Sequence, residues 1–232
     1  MKFSKNWIIV GITCTSIYRN INHWKKQLND INQLGIKQIA LFPTELNFIQ
    51  RKELYRQLNK SVVQEIKLVH LRGEDFTSEE INYFHHNFKT RLFNCHEEHL
   101  DRLYQQFPRF RKNILLELNY NNKIENQVEP NKLGGFCIDL AHYQVAQDKN
   151  CCEVDYILKR LKNTPIQANH LNGYSIHSRT FHRDRHLVTN LKQFNYLMGL
   201  PKKLFSPVIA LELENSISKQ LEFKDYIVNL LS

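Results

Sequence analysis

Nine side chains able to hold a divalent metal recur along this 232-residue chain: His70, His96, Glu117, Asp139, His142, His170, Asp184, His186 and Glu212. Imidazole and carboxylate together suit borderline ions such as Zn, Mn or Fe. One such residue means little. A lone histidine at the end of a strand usually serves structure, and a lone carboxylate often serves a helix N-terminus. Nine exceed a single coordination shell, so two or three ions are implied, with carboxylates shared between them. No Lys or Ser stands at an equivalent place beside a partnering base, which points away from a covalent nucleophile.

Such a set needs a scaffold that brings many strand ends to one rim. Short apolar runs alternate with amphipathic stretches throughout. The strands are expected at Trp7–Thr13, Lys37–Phe42, Glu65–Leu71, Thr90–Cys95, Asn113–Leu118, Gly135–Leu140, Pro165–His170 and Pro207–Leu213. Helices are expected at Asn22–Leu34 (closed by Gly35), Phe48–Leu58, Ser78–Phe88, Glu97–Phe107, Glu153–Leu161, the stretch ending at Leu200, and Ile217–Leu231. The polar stretch Asn119–Lys132 reads as the longest loop. Continuous apolar strands alternating with helices mean a buried parallel sheet. Eight strands and about eight helices in strict alternation, at about 29 residues per unit, give an α/β fold of the (β/α)8 TIM-barrel type. One such domain would span residues 1–232. An open doubly wound sheet would usually show a Gly-rich turn after its first strand, and Thr13-Cys14-Thr15-Ser16 is not one.

Composition excludes several classes. Hydrophobic residues make up 42% and charged residues 24%, so a core can form without staples. No run approaches the ~20 apolar residues of a membrane span. With 7 Gly and 6 Pro, the chain has too few turn residues for an all-β fold of many tight turns. The net charge of +9 has two readings, a basic face for phosphate-bearing partners or compositional drift marked by 24 Asn and abundant Lys. Five cysteines, an odd number with Cys151 and Cys152 adjacent and no C-x-x-C, suggest a reduced, cytoplasmic protein. Lys2 and Lys5 before the apolar Trp7–Ile12 mimic a secretory signal, but the run is short and lacks a small-x-small cleavage site.

Barrel enzymes keep their chemistry at the C-terminal strand ends, where His70, His96, Glu117, Asp139, His170 and Glu212 are expected. Phe136-Cys137-Ile138-Asp139-Leu140-Ala141-His142 resembles the C-x-D-x-x-H signature of endonuclease IV and its xylose isomerase-like relatives. His170-Leu171-Asn172 resembles that family's H-L-N-D segment, Asp184-Arg185-His186 after Ser178-Arg179 its S-R…D-R-H segment, and Ala210-Leu211-Glu212 its final L-E-T. The resemblance runs from the third strand to the eighth in the same order. It implies one ion on His70, His96 and Glu117, a second on Glu117, Asp139, His170 and Glu212, and a third on His142, Asp184 and His186. Zinc is the first choice, with Mn, Mg or Fe also compatible. In that family a metal-held hydroxide attacks a phosphodiester in line.

The leading expectation is therefore a phosphodiester hydrolase acting on a phosphate-bearing substrate, with DNA among the candidates. Arg179, Arg183 and Arg185 would meet phosphates. The alternatives are a sugar or sugar-phosphate isomerase or epimerase with one Mn or Mg and Glu117 and Glu212 as its acid/base pair, a multinuclear iron oxidase acting on peptide cysteine, and a non-enzymatic nucleic-acid-binding barrel. Glu214 is expected at the rim, His85, His86 and His99 toward solvent, and His177 and His182 within reach of substrate.

Overall fold

A computed structural model describes residues 3–14, 23–176 and 183–232. Eight parallel strands form one sheet: β1 (Ile8–Ile9 and Gly11–Thr13, interrupted at Val10), β2 (Gln38–Phe42), β3 (Glu65–His70), β4 (Leu92–His96), β5 (Ile114–Glu117), β6 (Gly135–Asp139), β7 (Ile166–Leu171) and β8 (Ile209–Leu211). Each pairs with its neighbour in sequence. The first half of β1 pairs with β8 (Ile8 opposite Ile209) and its second half with β2 (Ile12 opposite Leu41). One strand thus joins both ends of the sheet, and the barrel is closed. This is the expected (β/α)8 TIM barrel, with most strands a residue or two shorter than the apolar runs that announced them and the last confined to Ile209–Leu211.

Side chains alternate across each strand. One set fills the barrel: Ile9, Ala40, Phe42, Leu68, Leu115, Cys137, Ala168 and Ala210. The other set, including Leu41, Val69, Phe93, Leu116 and Ile138, packs outward against helix residues such as Leu28, Leu54, Ile81, Leu103 and Ile227. The helices are α1 (His23–Gln33), α2 (Phe48–Leu58), α3 (Ser78–Asn87), α4 (Glu97–Gln106), α5 (Leu140–Asp148), α6 (Cys152–Arg160) and α7 (Ile217–Leu231). Capping boxes start α2 at Asn47 and α3 at Thr77.

The alternation is less strict than expected. Between β5 and β6 the described chain has only a 3-10 turn at Pro130–Lys132. Two helices, α5 and α6, fill the next connection. Helix α5 escapes a periodicity reading because Leu140, Ala141, Tyr143, Val145 and Ala146 are all buried and leave no single stripe. Between β7 and β8 stands a 3-10 helix, Leu191–Gly199. Its buried contacts, Phe194, Leu197 and then Leu200, recur every third residue, the 3-10 period.

Two buried amides complete the seam between β1 and β8. Gln220 Oε1 accepts the Gly11 N–H (2.8 Å) while its Nε2 donates to the carbonyls of Gly11 (2.9 Å) and Leu213 (3.1 Å). Gln27 does the same for the Thr13 N–H (2.9 Å) and the Leu213 carbonyl (2.9 Å). These side chains replace the missing strand ladder where β1 shifts from β8 to β2. Each orphaned buried group costs about 1–3 kcal/mol. Gln220→Met, which keeps the volume and removes the amide, should therefore lower stability by at least about 2 kcal/mol in urea unfolding.

Candidate metal centre

The barrel's own periodicity builds the site. Residues two beyond interior Leu68, Leu115, Cys137, Ala168 and Ala210 face the axis as well, one layer higher. They are His70, Glu117, Asp139, His170 and Glu212, all buried. His96 ends β4 immediately before α4. Asp139 ends β6 and caps α5, its Oδ1 accepting the His142 N–H at 2.8 Å. That cap places His142 in the first helical turn, directed back over the strand ends.

Glu117 is the hub. Its Oε2 lies 3.2 Å from His70 Nε2, and its Oε1 lies 3.3 Å from His170 Nδ1 and 4.0 Å from His142 Nδ1. His170 Nδ1 is also 3.2 Å from Glu212 Oε2. Three groups of three have ligand atoms all within 4.8 Å of one another in the upper layer: His70, His96, Glu117; Glu117, Asp139, His142; and Asp139, His170, Glu212. The first is the set expected for one ion, and the last holds three of the four residues expected for a second. Asp184 Oδ2 stands 3.8 Å from His142 Nε2 and 3.6 Å from His186 Nε2, so the remaining trio meets through that carboxylate.

The polar atoms here fit a cation. His96 Nδ1, His142 Nδ1 and both ring nitrogens of His170 are buried without a hydrogen-bond partner. Unpartnered buried nitrogens are costly in an apolar barrel, and a Lewis acid would use their lone pairs. Two rings are fixed for such use. His70 Nδ1 lies 3.1 Å from the Leu71 carbonyl and His186 Nδ1 3.0 Å from the Glu212 carbonyl. A carbonyl only accepts, so each Nδ1 carries the proton, and in the neutral ring Nε2 keeps its lone pair facing the cluster. The carboxylates are held too. Asn94 donates to Glu117 (2.6 Å), Asn172 to Asp139 (2.7 Å) and Tyr120 to Asp184 Oδ1 (3.0 Å). The Tyr120 ring also lies against His142, centroids 4.6 Å apart. Asn172 belongs to the His170-Leu171-Asn172 segment, whereas Asn94 and Tyr120 carry no spacing signal in the sequence.

Asp184 and Arg185 pair antiparallel with Gly173–Tyr174, forming a ribbon over the mouth. Arg183 Nη1 lies 3.1 Å from Asp148 Oδ2 on α5, so it is engaged beside the mouth. Arg179, His177 and His182 lie outside the described residues. Glu214 lies beyond Glu212; its backbone N–H donates to the His186 carbonyl (2.7 Å) and its carbonyl accepts from His23 Nε2 (2.6 Å). It thereby ties the end of β8 to the ribbon and α1.

An open cavity of about 270 Å³ leads to the cluster, reaching His70, His96, Glu117, His142, His186 and Glu212. Its outer wall carries Glu45, Arg72, Glu74, Glu98 and His99. His99 was expected toward solvent; instead its ring packs over Gly73, where a methyl group would collide with it. A chain net charge of +9 thus coexists with an acidic mouth.

Burial works against charge in every one of these groups, and their neighbours decide the outcome. Burial is outweighed at Glu117 by His170, His96 and His70, which hold it well below the usual carboxylate range. Burial is likewise overcome at Asp184 by His142 and at Glu212 by His170 and His186, and both are lowered. At Asp139 burial wins and the carboxyl is raised. His142, despite burial, is pushed up to about 10 by Asp139, Asp184 and Glu117. His170 and His186 are raised too, against burial, by Cys137 and Glu117 and by Glu212 and Asp184 respectively. Only His96 is lowered, by burial. Protons on imidazoles thus supply the positive charge that the carboxylates require.

No family model matches the sequence, and no curated protein is similar to it. Solved structures of similar shape include the two that follow. The probable 3-DHS dehydratase AsbF involved in petrobactin synthesis, from Bacillus anthracis, is 13% identical over 97% of this chain and 98% of that one, with a TM-score of 0.47. SacUVDE is 11% identical over 97% of both chains, with a TM-score of 0.48. The barrel itself rests on strand order and register. No helix among the described residues is long and apolar enough to cross a membrane.

The raised histidines give the metal-free protein a signed pH dependence. A proton bound more tightly in the folded state stabilises fully below the unfolded pKa, about 6.5 for His. That contribution is lost as pH rises through about 10, the folded value of His142. The melting temperature of metal-free protein should therefore fall between pH 7 and 10, with metal affinity rising over its lower part as ligand protons are lost. Scanning calorimetry with and without Zn2+ checks both.

Proposed function

We propose that this barrel is a divalent-metal-dependent enzyme resembling endonuclease IV, a hydrolase of phosphodiesters with two or three ions, zinc the first choice. The supporting observation is the convergence of His70, His96, Glu117, Asp139, His142, His170, Asp184, His186 and Glu212 at one mouth, with unpartnered nitrogens among them. Divalent ions bound there would supply Lewis acidity at a phosphoryl oxygen and a water acidified toward neutral pH.

The chain's own part is orientation. Asn94 and Asn172 fix Glu117 and Asp139, Tyr120 fixes Asp184, and the packed barrel beneath excludes water. Glu117 and Glu212 flank His170 and are the carboxylates assigned to the reacting group. Arg183 and Arg185, with Arg179, are assigned to substrate phosphates, Arg183 exchanging Asp148 for the ligand. DNA is the candidate polymer and the cytoplasm the assigned compartment.

One observation favours a second reading, a sugar or sugar-phosphate isomerase with one Mn or Mg. Glu45, Glu74 and Glu98 on the cavity wall suit the hydroxyl donors of a polyol better than a polyanion.

The double variant Asp184→Asn/His186→Ala separates the two. It should lose one bound ion by metal analysis and keep the others. Hydrolysis of bis(p-nitrophenyl) phosphate should fall by at least the ~10–100-fold that loss of an outer metal partner costs. Unchanged metal content together with aldose–ketose isomerisation would favour the second reading.

A further inference from the structure

The upper layer does not exhaust the ligands. Cys137 projects into the barrel from β6, one side-chain layer beneath Asp139. Its Sγ, a carboxylate oxygen of Glu117 and a ring nitrogen of His170 all lie within 4.8 Å of one another, and all three residues are buried. Among the interior residues of its layer Cys137 meets apolar groups such as Leu115, Ala168 and Ala210. His170 is fully buried, and neither of its ring nitrogens has a hydrogen-bond partner. Carboxylate oxygens of Glu212 and Glu117 lie 3.2 and 3.3 Å from its Nδ1. An imidazole whose ring nitrogens make no hydrogen bond, beside a thiol and a carboxylate, offers nitrogen, sulfur and oxygen donors to one ion.

We propose that Cys137 is a metal ligand, so that the innermost ion is held by sulfur as well as by His170 and Glu117. On binding, a metal–sulfur bond forms and the S–H bond breaks, its proton leaving to solvent. Thiolate favours Zn2+ over the harder Mn2+ and Mg2+. The Cys137 ligand therefore narrows the metal chosen by the proposed hydrolase, and it argues against the Mn or Mg isomerase. This inference rests on the reading of the cluster as a metal centre.

Two measurements test it without reference to activity. X-ray absorption of the zinc-loaded protein should show about one sulfur per chain at about 2.3 Å, beside nitrogen and oxygen at about 2.0–2.2 Å. Cobalt-loaded protein should show a thiolate-to-cobalt charge-transfer band in the near ultraviolet. Both signals should vanish in Cys137→Ser and in Cys137→Ala, while Cys14, Cys95, Cys151 and Cys152 remain. A nitrogen- and oxygen-only shell in the wild-type protein, which needs no variant to fold, would overturn the Cys137 assignment and leave the hydrolase reading standing. Persistence of the sulfur signal in the variants would overturn it as well. A protein that takes up no metal would overturn both.

Discussion

Glu117, Asp139 and Glu212 are buried side by side at the end of an apolar barrel, where lost hydration and mutual repulsion both oppose their charge. The structure around them is organised by the need for compensating cations. Without metal, protons on His142, His170 and His186 meet part of that need. The unpartnered nitrogens of His96, His142 and His170 show that side chains alone do not complete it. A divalent ion would answer both deficits at once, neutralising the carboxylates and taking the imidazole nitrogens as ligands as their protons leave.

The barrel makes this arrangement rigid. Each axis-facing strand-end residue stands above a packed interior one: His70 above Leu68, Glu117 above Leu115, His170 above Ala168 and Glu212 above Ala210. Their Cα positions are fixed by parallel ladders, and their rotamers by Asn94, Asn172 and backbone carbonyls. Gln27 and Gln220 hold the place where β1 shifts from β8 to β2, so the ring of strand ends stays closed. Preorganisation of this kind suits a site whose work is electrostatic.

The strands and the axis-facing residues at their ends were legible in the sequence because both follow local rules. Buried parallel strands read as continuous apolar runs, and a period of two carries an interior Ala168 to an axis-facing His170. Asp139 and His142 share a helix cap, a contact of three residues' span. What the sequence did not disclose depends on distant contacts. Tyr120 reaches Asp184 across 64 residues, and Gln220 reaches Gly11 across 209. His99 looked like a solvated helix residue until Gly73 left room for its ring at the mouth. Helix α5 was hidden because it is buried nearly all round, whereas the helix expected to end at Leu200 is present as a 3-10 helix, Leu191–Gly199, whose buried contacts repeat every third residue.

Anomalous diffraction at the zinc edge, from crystals of zinc-loaded protein, tests the central claim most directly. Two or three peaks should appear at the barrel mouth, each about 2.0–2.3 Å from its donors, with Glu117 contacting more than one. Peaks confined to surface histidines such as His86, with none among Glu117, Asp139, His170 and Glu212, would contradict it.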